Sequence, residues 1–327
     1  MHGYLFDVSS LSVVGVLGDR SNELIYKLNT HSVEQYDPGK DNAPTVIGEN
    51  GNVSYSCMAL AGGARQARDV DNRLYVAGRS GSTHRVYTFA PPSGGKFRPD
   101  RPTGYDLGTF GGGDPTDMAV SADGRWVYTV ADTGNDNDYS IVSTKLEQPR
   151  YYSSDPSWQS YRNTRWISIS EGSTPHYLVA TGPNGATIVN ITDSQAAPKR
   201  VSAQDLGGSP LHRASHMKGA DFAIPTDKGI TFINAAGFFS DSRGSILKTL
   251  FKDSDYSNTK NFGTAEIART GTYGNNVYFY AKNQNKQVGF AFNSSTWEPA
   301  SGDQTYPRYL TLTLMCYYPN RVFFAIF

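Results

Sequence analysis

A short β-rich block recurs along this 327-residue chain at a nearly constant interval, and that interval limits the folds open to it more than any single motif does. The block reads Leu24-Ile25-Tyr26-Lys27-Leu28, then Arg73-Leu74-Tyr75-Val76-Ala77, then Arg125-Trp126-Val127-Tyr128-Thr129-Val130. It returns as His176-Tyr177-Leu178-Val179-Ala180, Asp221-Phe222-Ala223-Ile224, Asn276-Val277-Tyr278-Phe279-Tyr280 and Arg321-Val322-Phe323-Phe324-Ala325. Measured on the aromatic residue (26, 75, 128, 177, 222, 278 and 323), the steps are 49, 53, 49, 45, 56 and 45 residues. A module of this length buries its apolar face only against its neighbours, so several must stack. Helical modules would need long amphipathic stretches, and the chain offers only a short helical pattern at 245–251, in a connection.

Within a unit the hydrophobic pattern is that of strands. Residues 116–121 predict an inner strand, Ala122-Asp123-Gly124 a turn, 125–131 a second strand, and 139–146 a third beyond the polar loop 132–138. Asp-Gly between two such runs favours a tight hairpin, because glycine accepts the positive φ that these turns require. Val70-Asp71-Asn72, Asp227-Lys228-Gly229 and Gly274-Asn275-Asn276 repeat the signal. Sheets repeated radially form a β-propeller, whose edges are short and protected. The expectation is one all-β domain over 1–327, a β-propeller of seven blades with six as the alternative. The apolar run Val322-Phe323-Phe324-Ala325-Ile326-Phe327 would be an aggregation hazard if left unpaired. A strand at 4–8 is therefore expected to close the last blade against 309–316 and 321–327.

The unit from Asp114-Pro115-Thr116-Asp117-Met118-Ala119-Val120-Ser121 through Ala122-Asp123-Gly124 to Val127-Tyr128-Thr129-Val130-Ala131 resembles the repeat of the YVTN/lactonase-like propeller superfamily. The resemblance covers 18 residues, and the other units keep only the aliphatic–aromatic strand. It implies six or seven blades. It does not fix a chemistry, since that superfamily holds lactone-processing enzymes, surface proteins and other modules.

Composition narrows the partners. With 30 Lys+Arg against 30 Asp+Glu there is no net field toward nucleic acid. Mean hydropathy is −0.48 and no stretch approaches the roughly 20 apolar residues of a spanning helix, so membrane insertion is not expected. No paired basic–aromatic run of the kind that suggests nucleic acid is read in the chain, and no phosphate loop, dinucleotide fingerprint or nucleophile elbow is present. Tyr151-Tyr152, Trp158 with Tyr161, Tyr256, Tyr306 and Tyr317-Tyr318 are assigned to connections, where amphipathic rings favour binding surfaces. Cys57 and Cys316 are either buried thiols or one bridge between the chain ends. Sequons at Asn52-Val53-Ser54, Asn190-Ile191-Thr192 and Asn293-Ser294-Ser295 point to an extracellular or cell-surface location. The first residues lack the basic flank and apolar run of a signal peptide, so that location expects a trimmed chain or another export route.

In a propeller, loops before the inner strands converge on the hub, and the polar residues there are the candidates for chemistry. His212 and His216 are candidate bases and Arg269 a candidate for neutralising a substrate carboxylate. Arg65, Arg68, Glu171 and Glu266 are candidate substrate contacts, and Asp114 and Asp117 candidate ligands for a divalent ion. A zinc shared by His212 and His216 is not expected, since i and i+4 on a strand lie about 13 Å apart. The loop 132–138 has the composition of a calcium-binding turn without EF-hand spacing, and calcium is the one cofactor considered. The leading expectation is a surface binding module that recognises a glycan or a protein. The alternatives are a propeller enzyme of lactonase or polysaccharide-lyase type, and a structural subunit of an extracellular assembly.

Overall fold

A computed structural model describes residues 2–7, 13–19, 24–36, 45–60, 74–90, 98–99, 105–106, 114–121, 124–131, 141–146, 152–158, 160–170, 176–193, 195–217, 219–240, 245–251, 266–273, 276–283, 286–293, 316–318 and 321–326. Among these, the regular structure is antiparallel strand apart from one 3-10 turn, Ala236–Phe238.

The strands form seven sheets among the described residues. Val13–Asp19, Leu24–Asn29, Ser32–Tyr36 and Thr45–Glu49 make the first meander. Ser54–Leu60, Leu74–Ser80 and Thr83–Ala90 make the second, with the short strands Arg98–Pro99 and Tyr105–Asp106 both against Thr83–Ala90. Pro115–Val120, Trp126–Ala131, Ile141–Leu146 and Tyr152–Trp158 follow, then Trp166–Ile169, Tyr177–Gly182, Gly185–Asn190 and Lys199–Ser202. Ser215–His216, Asp221–Thr226, Gly229–Asn234 and Ile246–Phe251 make the next sheet, and Glu266–Tyr273, Asn276–Asn283 and Lys286–Asn293 a three-stranded one. In the last, Arg321–Ile326 lies between Cys316–Tyr318 and the N-terminal strand His2–Asp7, with Leu5 opposite Phe323.

The repeat maps onto this order residue by residue. Tyr26, Tyr75, Tyr128, Tyr177, Phe222 and Tyr278 each stand on the second strand of a different sheet, and Phe323 on the middle strand of the last. These strands have neighbours on both sides and read as continuous apolar runs for that reason; Tyr177–Gly182 is buried at every position. The turn read from Asp123-Gly124 has the backbone it needs, with Gly124 at φ 66° and its N–H donating to the Ser121 carbonyl at 2.9 Å. The Tyr75 hydroxyl donates to the Gly124 carbonyl at 3.2 Å, so one repeat is pinned to the next across a separation of 49 residues.

The chain groups into two compact units, one of His2–Gln159 with Met315–Ile326 and one of Ser160–Leu314. In the first, Tyr26, Leu28, Leu74, Val76 and Phe89 form one buried cluster, and Cys57, Tyr75, Met118 and Val120 belong to another. Cys57 is a buried thiol that packs as a small hydrophobe. In the second, Tyr177, Ile188, Phe222, Ile224 and Ile233 share a cluster.

Two expectations are corrected. The segment expected to be helical at 245–251 contains the strand Ile246–Phe251, paired along Gly229–Asn234. Tyr152 and Trp158 lie on a fourth strand and Tyr317 and Tyr318 on Cys316–Tyr318, all outside connections. Pro156 hid the strand Tyr152–Trp158, yet proline is tolerated there because the strand is an edge and needs no further donors. Trp158 stacks on Tyr128 at 6.5 Å, and Tyr128 on Trp126 at 6.5 Å.

Candidate functional site

One end of the 166–202 sheet collects rings and guanidinium groups, all within the 160–314 unit. It begins at the turn before Trp166–Ile169. The Thr164 N–H and hydroxyl both donate to the Tyr161 carbonyl, at 3.2 and 2.6 Å. Asn163 takes the left-handed conformation, φ 62°, that asparagine tolerates better than most residues. From the neighbouring hairpin tip, Asn184 Nδ2 donates to the Arg162 carbonyl at 2.9 Å. That hairpin approaches so closely that a Cβ on Gly185 would fall 2.2 Å from the Val201 carbonyl and 2.9 Å from the Tyr161 ring. Only glycine allows the packing. Arg200 also packs on Tyr161, its guanidinium carbon 4.6 Å from the ring centroid and its Nη2 donating to the Ser160 carbonyl at 2.6 Å.

The 203–214 connection is built into the same end. Thr181 Oγ1 donates to the His212 carbonyl at 3.0 Å, the Ser168 hydroxyl to the Ala214 carbonyl, and the Thr231 hydroxyl to the Leu206 carbonyl. Leu211 N–H reaches the Pro225 carbonyl at 3.0 Å. These bonds seat the His212 imidazole 5.4 Å from the Trp166 ring. Tyr161, Trp166 and His212 are half-buried, whereas Arg162, Arg165, Arg200 and Arg213 are exposed. Two carboxylates sit nearby and are tied to local groups: Asp205 accepts from the Ser202 hydroxyl at 2.6 Å and Asp227 from the Ser209 N–H at 2.7 Å.

The residues singled out from sequence are distributed otherwise. His212 and His216 have separate surroundings; His216 Nε2 is 3.0 Å from the Gly219 carbonyl and its ring 5.3 Å from Phe222. Asp114 lies in the other unit, beside a cross-strand pair: its Oδ1 is 3.0 Å from His84 Nε2 and 3.5 Å from Arg79 Nε. Asp117, three residues on, is buried while Asp114 is exposed. Among the described residues no three of His, Cys, Asp and Glu gather as a metal would require. Glu266 and Arg269 lie on the strand Glu266–Tyr273, opposite Lys282 and Tyr280, and not in a loop. Arg65, Arg68, Glu171 and the loop 132–138 lie outside the described residues. The run Tyr161-Arg162-Asn163-Thr164-Arg165-Trp166 is a basic–aromatic one after all. Hydrophobic periodicity passes over it because it precedes its strand; only the pairing of Tyr161 with a connection signalled it.

No protein-family model and no curated protein matches the sequence. The structure does have counterparts. Chains of solved structures that match number 529. One is a chain of the crystal structure of a mitotic checkpoint complex, with 11% identity, a TM-score of 0.56, and coverage of 89% of this chain and 80% of that one. At that identity the likeness is one of fold. With the repeated four-stranded meanders, it makes this chain a β-propeller.

Proposed function

We propose that this β-propeller is a protein-interaction module and that the 160–214 end of the 166–202 sheet is its contact surface. The observation that carries the reading is the set of half-buried rings, Tyr161, Trp166 and His212, seated by backbone hydrogen bonds beside four exposed arginines. Trp, Tyr and Arg dominate the energetics of protein interfaces, and rings already held in place lose little freedom on binding. Within propellers, the resemblance of 114–131 is the ground for placing the chain with the YVTN/lactonase-like group. Asn52, a sequon residue exposed in the turn between Thr45–Glu49 and Ser54–Leu60, supports an extracellular location.

The test is a photo-crosslinking residue at position 162, compared with one at the exposed position 248 on the outer strand Ile246–Phe251. A protein adduct is expected from 162 in extracts of the native source. It should disappear when Arg165→Glu and Arg213→Glu are combined, and position 248 should not form it. The double variant should melt as the wild type does, since exposed substitutions typically change stability by under about 0.5 kcal/mol. The reading fails if adducts are solely carbohydrate, or are the same from both positions.

A further inference from the structure

We infer that this surface takes a short acidic peptide segment of a partner protein, with carboxylates on Arg162, Arg165, Arg200 and Arg213 and an apolar side chain against Trp166. The inference rests on the interaction-surface reading above and specifies the partner's chemistry. Arg200 is the guide. Its guanidinium carries five N–H donors in a planar fork. Among the described residues the structure engages one of them, at the Ser160 carbonyl, while Tyr161 holds the plane from one side. A fork fixed in this way is shaped for the two oxygens of a carboxylate. Three chain segments supply the guanidinium groups: the turn before Trp166–Ile169, the strand Lys199–Ser202 and the residue after His212. A single small acid would engage one of them, so a ligand with several carboxylates along a chain fits better.

The same end argues against a nucleic acid. Asp205 accepts from the Ser202 hydroxyl and Asp227 from the Ser209 N–H, so the segments that build this end carry acidic as well as basic groups. The chain also has 30 Lys+Arg against 30 Asp+Glu, without the basic excess that nonspecific phosphate binding relies on.

Fluorescence anisotropy on the full chain tests this with a labelled peptide of about twelve residues that alternates Glu and Gly around one Leu, a span suited to a chain contacting several side groups. Parallel probes are the same peptide with Gln for Glu, heparin, and a single-stranded oligonucleotide. The Glu peptide is expected to bind, to weaken as salt rises, and to lose affinity by about tenfold when Arg162→Glu and Arg165→Glu are combined. Arg200→Lys should weaken it several-fold while keeping the charge, because an ammonium cannot form the fork. Lys248→Glu, on the outer strand, should have no effect. Absence of Glu-peptide binding overturns the inference. So does equal binding of the Gln peptide, tighter binding of heparin or the oligonucleotide, or an equal loss with Lys248→Glu. If the peptide fails while the crosslink from position 162 persists, the acidic chemistry is wrong and the interaction surface stands.

Discussion

Tyr55 shows at the scale of one residue how burial writes itself into pH dependence. It lies in the first unit's core, edge-on to Tyr87 with ring centroids 5.8 Å apart, and burial, with Tyr87 adding to it, pushes its phenol up to about 12. Burial also raises the phenol of Tyr177. In the unfolded chain Tyr55 ionises near its ordinary value of about 10. Between the two values unfolding releases a proton, so stability is intact below pH 10 and falls as the pH rises toward 12. The loss from Tyr55 alone is at most about 3 kcal/mol. Urea denaturation at pH 8, 10 and 11 should show that decline, and Tyr55→Phe should flatten it. Some residues declare such roles in sequence. Gly124 did so through its Asp-Gly context, whereas nothing around Gly185 announces that Tyr161 will lie against it.

At the scale of elements, the strand Ile246–Phe251 shows where pattern and pairing part. Ser-Ile-Leu-Lys-Thr-Leu-Phe places apolar residues at helical spacing, but hydrogen bonds along Gly229–Asn234 draw it into the sheet. The pleat then sorts its side chains unevenly. Ile246 is 38% and Leu247 41% exposed, while Leu250 is 2% exposed. Leu250→Ala should therefore cost about 2–4 kcal/mol in thermal or urea unfolding, and Leu247→Ala under about 0.5 kcal/mol. Equal costs would mean that the strand pairs in another register. The same competition explains Tyr152–Trp158, where Pro156 and three serines read as a loop until an edge position and the Tyr128 stack decide otherwise.

Across the whole molecule, hydroxyl-to-carbonyl bonds among the described residues join one repeat to the following one at two places: Tyr75 to Gly124 in one unit, and Ser168 to Ala214 with Thr181 to His212 in the other. Asp114 does similar work, with Arg79 and His84 of the preceding sheet on its carboxylate. An extracellular life for such a molecule makes one measurable demand. Asn52 is exposed in the turn that connects Thr45–Glu49 of one sheet to Ser54–Leu60 of the next. Protein from its native source should lose mass on treatment with an N-glycosidase, and Asn52→Gln should remove part of that loss. An unmodified Asn52 would withdraw the support for that location.

Spacing, alternation and turn chemistry are local, and they carry the fold class unaided. Seven aromatic anchors, each on its own sheet, need no information beyond the order of residues within a unit. The contact surface is a different kind of fact. Ser160 meets Arg200 and Thr181 meets His212 only after strands tens of residues apart have paired. No short-range pattern records those meetings, so the side chains that share the surface were decided by tertiary packing.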